Sequence, residues 1–434
     1  MPFILVTVLL DMLGIGLVIP VLPKLVTTMY GGDLSTGSAI FGTFAASYAL
    51  MQFLFSPVIG NLSDAYGRRP VILISLLGSG LDYMLMTLAP SWQWLFVGRV
   101  ISGITGANIT AANAYVADVS SLEQRARNFG MIGACFGVGF IVGPALGGLL
   151  GKYGLRVPFA VAAGLTLCNW LYGCFVLPES HPKEHRRPFD WSRANPLGSL
   201  GGLARYPIVI GLVATIALER LAHDSLPSTW VLYTTYRFNW TELDNGLALA
   251  LVGIMYAIVS GGLTGTIVKK LGERKALITG LMIGSLTFLM YGLASQGWML
   301  YLMIVVGSLG GISVPALQAI ISQNTPATEQ GAVQGALASI QSIAAIIGPL
   351  MATSLFGYFT SSAAPVKLPG AAFLASSLLV ITGAALAMRT LRLTPAMETN
   401  SPKPQKEASG FICEEGLFEP AEQAEFKGQT ASLH

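Results

Sequence analysis

Twelve apolar runs of roughly twenty residues, each bounded by glycine, proline or charge, constrain this chain more than any other feature. A helix needs about 20 apolar residues to cross the hydrocarbon core of a bilayer. Inside that layer every backbone amide must find its partner within its own segment or its neighbours. The runs therefore predict membrane-spanning helices over 3–24, 40–60, 71–90, 94–116, 128–150 and 158–178. A second set follows over 208–233, 245–267, 276–295, 298–321, 335–359 and 371–391. Composition agrees, with 53% of the 434 residues hydrophobic and 11% charged, against about 25% charged in soluble domains. The first run has no basic leader, carries Asp11 and continues to Leu22. It is too long for a cleaved signal peptide and is expected to stay as the first span.

The chain reads as one unit written twice. Between the second and third runs lies a short charged stretch, Gly60 to Pro70, where Gly60, Gly67 and Pro70 are expected to make a tight turn. A weaker copy begins at Gly265 and continues through Lys269, Lys270, Gly272, Glu273, Arg274 and Lys275, so Gly60 answers to Gly265 and Gly67 to Gly272. Gly143-Pro144 and Gly348-Pro349 keep the same spacing, and Glu123 answers to Glu329. The expected fold is an all-α membrane protein of twelve transmembrane helices in two six-helix pseudo-repeat halves around a central cavity. Its divisions are a first half over 1–178, a polar linker over 179–207, a second half over 208–393 and a polar, disordered tail over 394–434.

Charge orients the chain. If both termini and the linker share one side, 18 of the 25 Lys and Arg lie there. Lys24, Lys152, Arg156, Arg237 and Lys367 lie on the other, and Arg99 and Arg220 fall within spans. Short cytoplasmic loops collect basic residues, so the termini and linker are expected in the cytoplasm. The four cysteines, Cys135, Cys168, Cys174 and Cys413, lack metal-type spacing, and the three within apolar segments are expected as small core residues. The sequence contains neither a phosphate-binding GxxxxGK loop nor HExxH, which excludes the usual ATP-driven pump and zinc protease signatures. No catalytic constellation, cofactor motif or metal site is expected, and the chain reads as something other than an enzyme.

Ionisable groups inside spans are costly and persist only toward protein or water-filled space, so each is a candidate site. Asp11 lies midway along the first span in a glycine-rich stretch, either to handle a proton or substrate or to hold that helix to a neighbour by a hydrogen bond. Asp82 in the third span and Arg99 in the fourth are a carboxylate and a cation that can tune each other, or else structural anchors. Gln52 can meet a ligand or another helix. The seventh span is the most unusual, with Glu219, Arg220, His223 and Asp224 at its middle. Helical spacing pairs Glu219 with His223 and Arg220 with Asp224, which suits a proton relay or a hydrated kink. In the loop, Asp64, Arg68 and Arg69 read as a gate latch between conformations rather than a binding site. Gly143-Pro144 and Gly348-Pro349 are expected to thin their helices so the halves can approach. Trp230, Tyr233, Tyr236 and Trp240 read as an aromatic belt at the membrane surface.

The pattern Gly60-x-x-x-Asp64-x-x-Gly67-x-Arg69 resembles the loop signature of the major facilitator superfamily. Gly98-Arg99-x-x-x-Gly103-x-x-Gly106 resembles its fourth-helix signature, and Gly130, Gly139, Gly143, Pro144, Gly147 and Gly148 its fifth-helix antiporter pattern. Within that superfamily the chain resembles the tetracycline/proton antiporter group, through Leu10 to Leu17, Pro20 to Pro23, Tyr48 to Gln52, Leu81 to Tyr83 and Gly103 to Ala107. Pro315 to Gln318 and Gly348 to Leu350 extend the likeness into the second half. The resemblance covers residues 3 to 392 and is stronger in the first half. It implies a proton-coupled exporter of a drug-like or amphiphilic molecule, monomeric in a bacterial inner membrane, with the substrate, protons and the bilayer as its partners and no nucleic acid. Three positions depart from the group: Ala65 stands where its loop has a basic residue, and Tyr256 and Gly284 stand where it has His and Asp. An importer of a small nutrient is the alternative, and a transport-dead receptor or scaffold built on the tail is a third reading.

Overall fold

Uninterrupted leucine, isoleucine, valine and alanine give helices here because helical backbone satisfies itself without water. The computed structural model describes residues 2–31, 34–106, 108–191, 207–325 and 330–392, and among these no strand occurs. The expected tail over 394–434, the later part of the linker and Glu329 lie outside the described residues. The helices are α1 (Pro2–Val18), α2 (Leu22–Met29), α3 (Leu34–Tyr66), α4 (Arg68–Leu88), α5 (Trp92–Thr105), α6 (Asn108–Asp118), α7 (Leu122–Gly151) and α8 (Val157–Val176). They continue as α9 (Pro207–His223), α10 (Ser225–Phe238), α11 (Glu242–Ile258), α12 (Thr264–Leu271), α13 (Glu273–Leu293), α14 (Gly297–Ser308), α15 (Ser313–Gln323), α16 (Gln330–Thr360) and α17 (Ala371–Arg392).

Ten straight or gently joined helices among the described residues are long and apolar enough to cross a membrane, and α1 with α2, meeting at 43°, make an eleventh. The span expected over 208–233 is divided at Asp224 into α9 and α10. Pro227 has no N–H to bond the His223 carbonyl and stops the helix there, and four ionisable side chains within six residues interrupt the apolar run at the same place. Another span, α11 to α12, passes through one wide π-helical turn at Val259–Leu263, where Gly261 and Gly262 stand.

The expected turn between the second and third spans is much shorter than the sequence suggests. Helix α3 runs on to Tyr66 and α4 begins at Arg68, so Gly67 alone turns the chain, at φ 103° and ψ 157°. Gly272 does the same between α12 and α13, at φ 76° and ψ 152°. A side chain is strained at such φ values, which is why both turns carry glycine. Gly60 and Gly265 are helical residues inside α3 and α12, and Pro70 sits in the first turn of α4, where its missing N–H costs no helical bond. The repeat extends to a tertiary bond. Arg69 at the start of α4 donates Nη2 to the Cys174 carbonyl near the end of α8, at 2.6 Å. Arg274 at the start of α13 donates Nη1 to the Leu391 carbonyl near the end of α17, at 3.2 Å. Each cation meets the carbonyl end of a helix, where positive charge is favoured.

Small residues set the closest helix contacts. Gly139, Gly143 and Gly147 of α7 face Met12, Gly16 and Leu17 of α1, and a Cβ on Gly143 would lie 2.7 Å from the Gly16 Cα. The other side of α7 faces α11: Pro144 and Gly148 meet Gly246, and Ile141 meets Gly253. Helix α16 is placed alike, with Gly348 against Leu221 and Asp224 and with Pro349 and Thr353 against Gly42 of α3. Without a strong hydrophobic drive between helices in lipid, such close backbone approach supplies the packing energy.

The two ends of the bundle differ. At the end away from Gly67 and Gly272, Lys24 of α2 pairs with Glu242 of α11. There too Ser35 Oγ donates to the Gly357 carbonyl at 2.9 Å and Ser38 Oγ to the Thr353 carbonyl at 3.3 Å. Glycines with open space where a Cβ would stand gather toward the other end, at Gly60, Gly130, Gly133, Gly261, Gly262 and Gly265, with Gly31 their counterpart near Lys24.

Candidate functional site

Three polar groupings emerge, each built by a different helix contact. The first lies between α3, α4 and α5. Asp82 on α4 is 2% exposed. Its Oδ2 accepts a hydrogen bond from Ser102 Oγ of α5, and that hydroxyl accepts one from Arg99 Nη2 at 3.2 Å. The expected partnership of Asp82 and Arg99 is therefore relayed by Ser102, a residue the sequence analysis did not single out. The guanidinium also touches Met86 Sδ at 3.5 Å and lies 5.6 Å from the centre of the Tyr48 ring. Asp82 Oδ1 and Arg99 Nε are buried without a hydrogen-bond partner among the described residues.

The glycines of this stretch explain how the grouping assembles. A Cβ on Gly98 would lie 2.8 Å from Asp82 Oδ1, one on Gly103 2.7 Å from Met51 Cβ, and one on Gly106 2.9 Å from Tyr48 Oη. Three bare positions along α5 and its end thus admit a carboxylate, a helix and a phenol. Gln52 donates Nε2 to the Gly106 carbonyl at 3.4 Å, the interhelical contact that was one of its two expected roles. Asp11 is buried in α1 and lines a cavity of about 20 Å³ with Asn113 and Thr7, room for about one water. Asp11, Asp82 and Arg99 all lie near the same two phenols, Tyr48 and Tyr83. A buried carboxyl with one oxygen held by a rotatable hydroxyl and the other bare can take and release a proton.

The second grouping is on α9. His223 Nδ1 meets Glu219 Oε1 at 3.0 Å, and Arg220 Nη2 meets Asp224 Oδ1 at 3.3 Å, the two pairs the helical spacing predicts. His223 lies edge-on to Phe288 of α13 at 5.3 Å between ring centres.

The third is the Gly60 to Pro70 loop. Arg68 is a buried hub: it pairs with Asp64, donates Nε to Asp118 Oδ2 at 3.1 Å and Nη1 to Ser63 Oγ at 2.6 Å. Its backbone N–H donates to Glu179 Oε1 at 2.9 Å, and Glu179 in turn meets Arg186 at 3.6 Å. Asn61 donates Nδ2 to the Asp190 carbonyl at 2.6 Å. The partners of Asp64, Arg68 and Arg69 come from residues 63–187, so these charges tie α3, α4, α6 and the early linker together. Asp118 and Glu179 were missed because a single carboxylate at a helix end carries no pattern.

Two expectations are corrected. Trp230 and Tyr233 are buried rather than belted at a membrane surface: Tyr233 donates its hydroxyl to the Tyr291 carbonyl at 2.7 Å, and Trp230 packs on Trp240 and Tyr291. Only Tyr236 of that group is exposed as expected, with Trp240 half-buried. Cys168, expected in the core, is exposed on α8. Tyr256 stands exposed on α11, and Gly284 lies 3.9 Å from Val380 Cγ1 measured from where its Cβ would be.

The Major Facilitator Superfamily model matches residues 4–349 and again 212–419. The class C tetracycline resistance protein of Escherichia coli is 42% identical over 359 residues, covering 83% of this chain and 90% of that protein. The class G tetracycline resistance protein of Vibrio anguillarum is 38% identical over 355 residues, covering 80% and 88%. The crystal structure of the human organic anion transporter MFSD10 (TETRAN) matches with a TM-score of 0.65 at 25% identity, covering 89% of this chain and 98% of that one. A bacterial homologue of the human lysosomal transporter Spinster, inward-facing and unoccupied, matches with a TM-score of 0.73 at 16% identity, covering 90% and 96%, a likeness of fold alone.

Proposed function

The chain belongs to the major facilitator superfamily, and from that premise we propose that this multi-pass membrane transporter exports a tetracycline-like compound in exchange for protons. Similarity to proteins named for tetracycline resistance, at 42% and 38% identity, supports the substrate class and a bacterial inner-membrane location. The observation that carries the coupling is the buried Asp82, relayed through Ser102 to Arg99. A proton arriving on Asp82 removes the charge that Arg99 balances, so the relay has two states, and each state favours its own helix arrangement. Asp11, buried beside a water-sized cavity, is the second acid of the first half.

Residues 1–178 and 208–393 act as the two moving halves of an alternating-access cycle. The Lys24–Glu242 pair and the α7–α11 contact close one end, while the glycines near Gly67 and Gly272 stand open at the other. The excess of basic residues supports a cytoplasmic position for the end that holds Gly67 and Gly272, together with both termini. The arrangement is then the cytoplasm-facing one, ready to receive an internal drug. One copy of the chain carries the whole path, and the working unit is a monomer.

Everted membrane vesicles holding an acid-inside gradient test this. Tetracycline with magnesium should release the gradient in wild type and fail to do so in Asp82→Asn and Asp11→Asn. Tyr256 and Gly284, at positions where the related group has His and Asp, favour a second reading in which another amphiphilic compound is the substrate. Release by other compounds alone selects that reading. Silence across the panel, with uptake of a small nutrient instead, rejects export.

A further inference from the structure

The second half of the chain keeps its membrane-interior charge in one place. Among the described residues of 208–391, Glu219, Arg220, His223 and Asp224 are the charged or imidazole side chains that lie inside an expected span, at its break between α9 and α10, rather than near a span's ends or in a loop. Their two pairs are built alike, with the acid buried and the base half open. Glu219 and Asp224 side chains are 13% and 9% exposed, whereas Arg220 and His223 are 47% and 46% exposed.

Asp224 is the less satisfied acid. Arg220 holds its Oδ1 at 3.3 Å, but Oδ2 is buried with no hydrogen-bond partner among the described residues. A bare buried carboxylate oxygen is costly and calls for an occupant. Asp224 also stands at the joint between α9 and α10, where α16 presses closest: a Cβ on Gly348 would lie 2.7 Å from Asp224 Cβ. The charged groups near it are Arg220, His223 and Glu219 of α9 itself. Around them α16 brings Gly348, α13 brings Phe288, and α17 brings Ser376, which donates to the Ala222 carbonyl at 3.1 Å and to Ser225 Oγ at 2.9 Å.

We infer that Asp224 is a second proton-carrying site, in the second half of the chain, with Arg220 as the partner that leaves when the proton arrives. The inference rests on the proton-coupled reading above and adds a site to it. A proton from the open side joins Oδ2 and neutralises the carboxylate. Arg220 loses its ion partner and turns outward into space it already half occupies, and the cluster gains one positive charge. Loss of the proton reverses both steps. Because Asp224 forms the joint between α9 and α10 and touches α16, its charge sets how that joint packs.

Infrared difference spectra of the purified full chain in lipid, between acid and neutral pH, read this protonation without any substrate. With Asp82→Asn and Asp11→Asn removing the two acids proposed for the first half, a protonated-carboxyl C=O stretch should remain, and adding Asp224→Asn to that background should abolish it. Arg220→Gln should keep that band and change the pH at which it appears. The assignment is overturned if the band survives the added Asp224→Asn. If that variant fails to fold, Arg220→Gln decides, since an unmoved titration also overturns it. Counterflow of tetracycline with magnesium at equal pH, on the same preparations, checks the functional reading separately. A wild type showing the Asp224 band without counterflow supports the proton site and rejects tetracycline as the substrate.

Discussion

Ser102 shows how much chemistry can hang on one hydroxyl. It is the only group joining Asp82 to Arg99 by hydrogen bonds among the described residues, and both ions have a further buried atom unpaired. Replacing it with alanine should leave the helices in place but strip Asp82 of its donor, at a cost of about 1–3 kcal/mol in thermal unfolding of the detergent-solubilised protein. Gradient-driven efflux should fall in Ser102→Ala, and Ser102→Thr, which keeps the hydroxyl, should restore part of it. Asp82→Asn should go further and remove the pH dependence of efflux while substrate counterflow continues. A Ser102→Ala efflux rate equal to wild type would detach Arg99 from the coupling. At this scale the sequence was informative about acids and bases and silent about the residue between them. Charged residues inside an apolar run announce themselves by their cost, whereas a serine is common in such runs and gains meaning only from what it touches.

Helices are where the sequence was most legible. Glycine spacing along α7 marked it as a helix made for close approach, and its partner is set by the fold, where Gly139, Gly143 and Gly147 fall on one face and meet Met12, Gly16 and Leu17 of α1. The same stretch gives a controlled test. Gly143→Val should overpack the contact with Gly16 and cost about 1–3 kcal/mol in thermal stability. Gly130→Val, where a Cβ meets open space, should change it little. Equal losses in both variants would mean that α7 is not seated on α1 through this stripe. Turns were less legible. Gly60, Gly67 and Pro70 all carry turn chemistry, yet only Gly67 turns the chain, since a helix tolerates a glycine within it and a proline in its first turn. Gly67→Ala should be costly on two counts, the positive φ and the crowding of its Cβ by Glu179 and Arg186, and the measured effect should be a lower unfolding temperature. The break at Asp224 was legible twice over, in the charge density and in Pro227, which has no N–H for the His223 carbonyl four residues back, whereas the neighbour packed on it, Gly348, 124 positions away, is supplied only by the tertiary arrangement.

At the scale of the whole molecule, the repeat read from the sequence reappears as matched events: Gly67 and Gly272 as one-residue turns, Arg69 and Arg274 as cations on helix ends. What the sequence could not state is which end of the bundle is tied across its two halves, since that depends on contacts such as Lys24 with Glu242 between distant segments. If these two residues close the outer end during each cycle, a disulfide between Lys24→Cys and Glu242→Cys should stop turnover, and a reductant should restore it. Unaltered turnover with the bond formed would exclude movement at that end. The central claim is that transport is driven by proton exchange through buried acids of the bundle. Its most direct test is accumulation of labelled tetracycline in acid-loaded proteoliposomes of the purified chain, with and without an ionophore that collapses the pH difference. The account predicts accumulation that disappears with the ionophore and in Asp82→Asn. Accumulation that persists undiminished after the gradient is gone would contradict it.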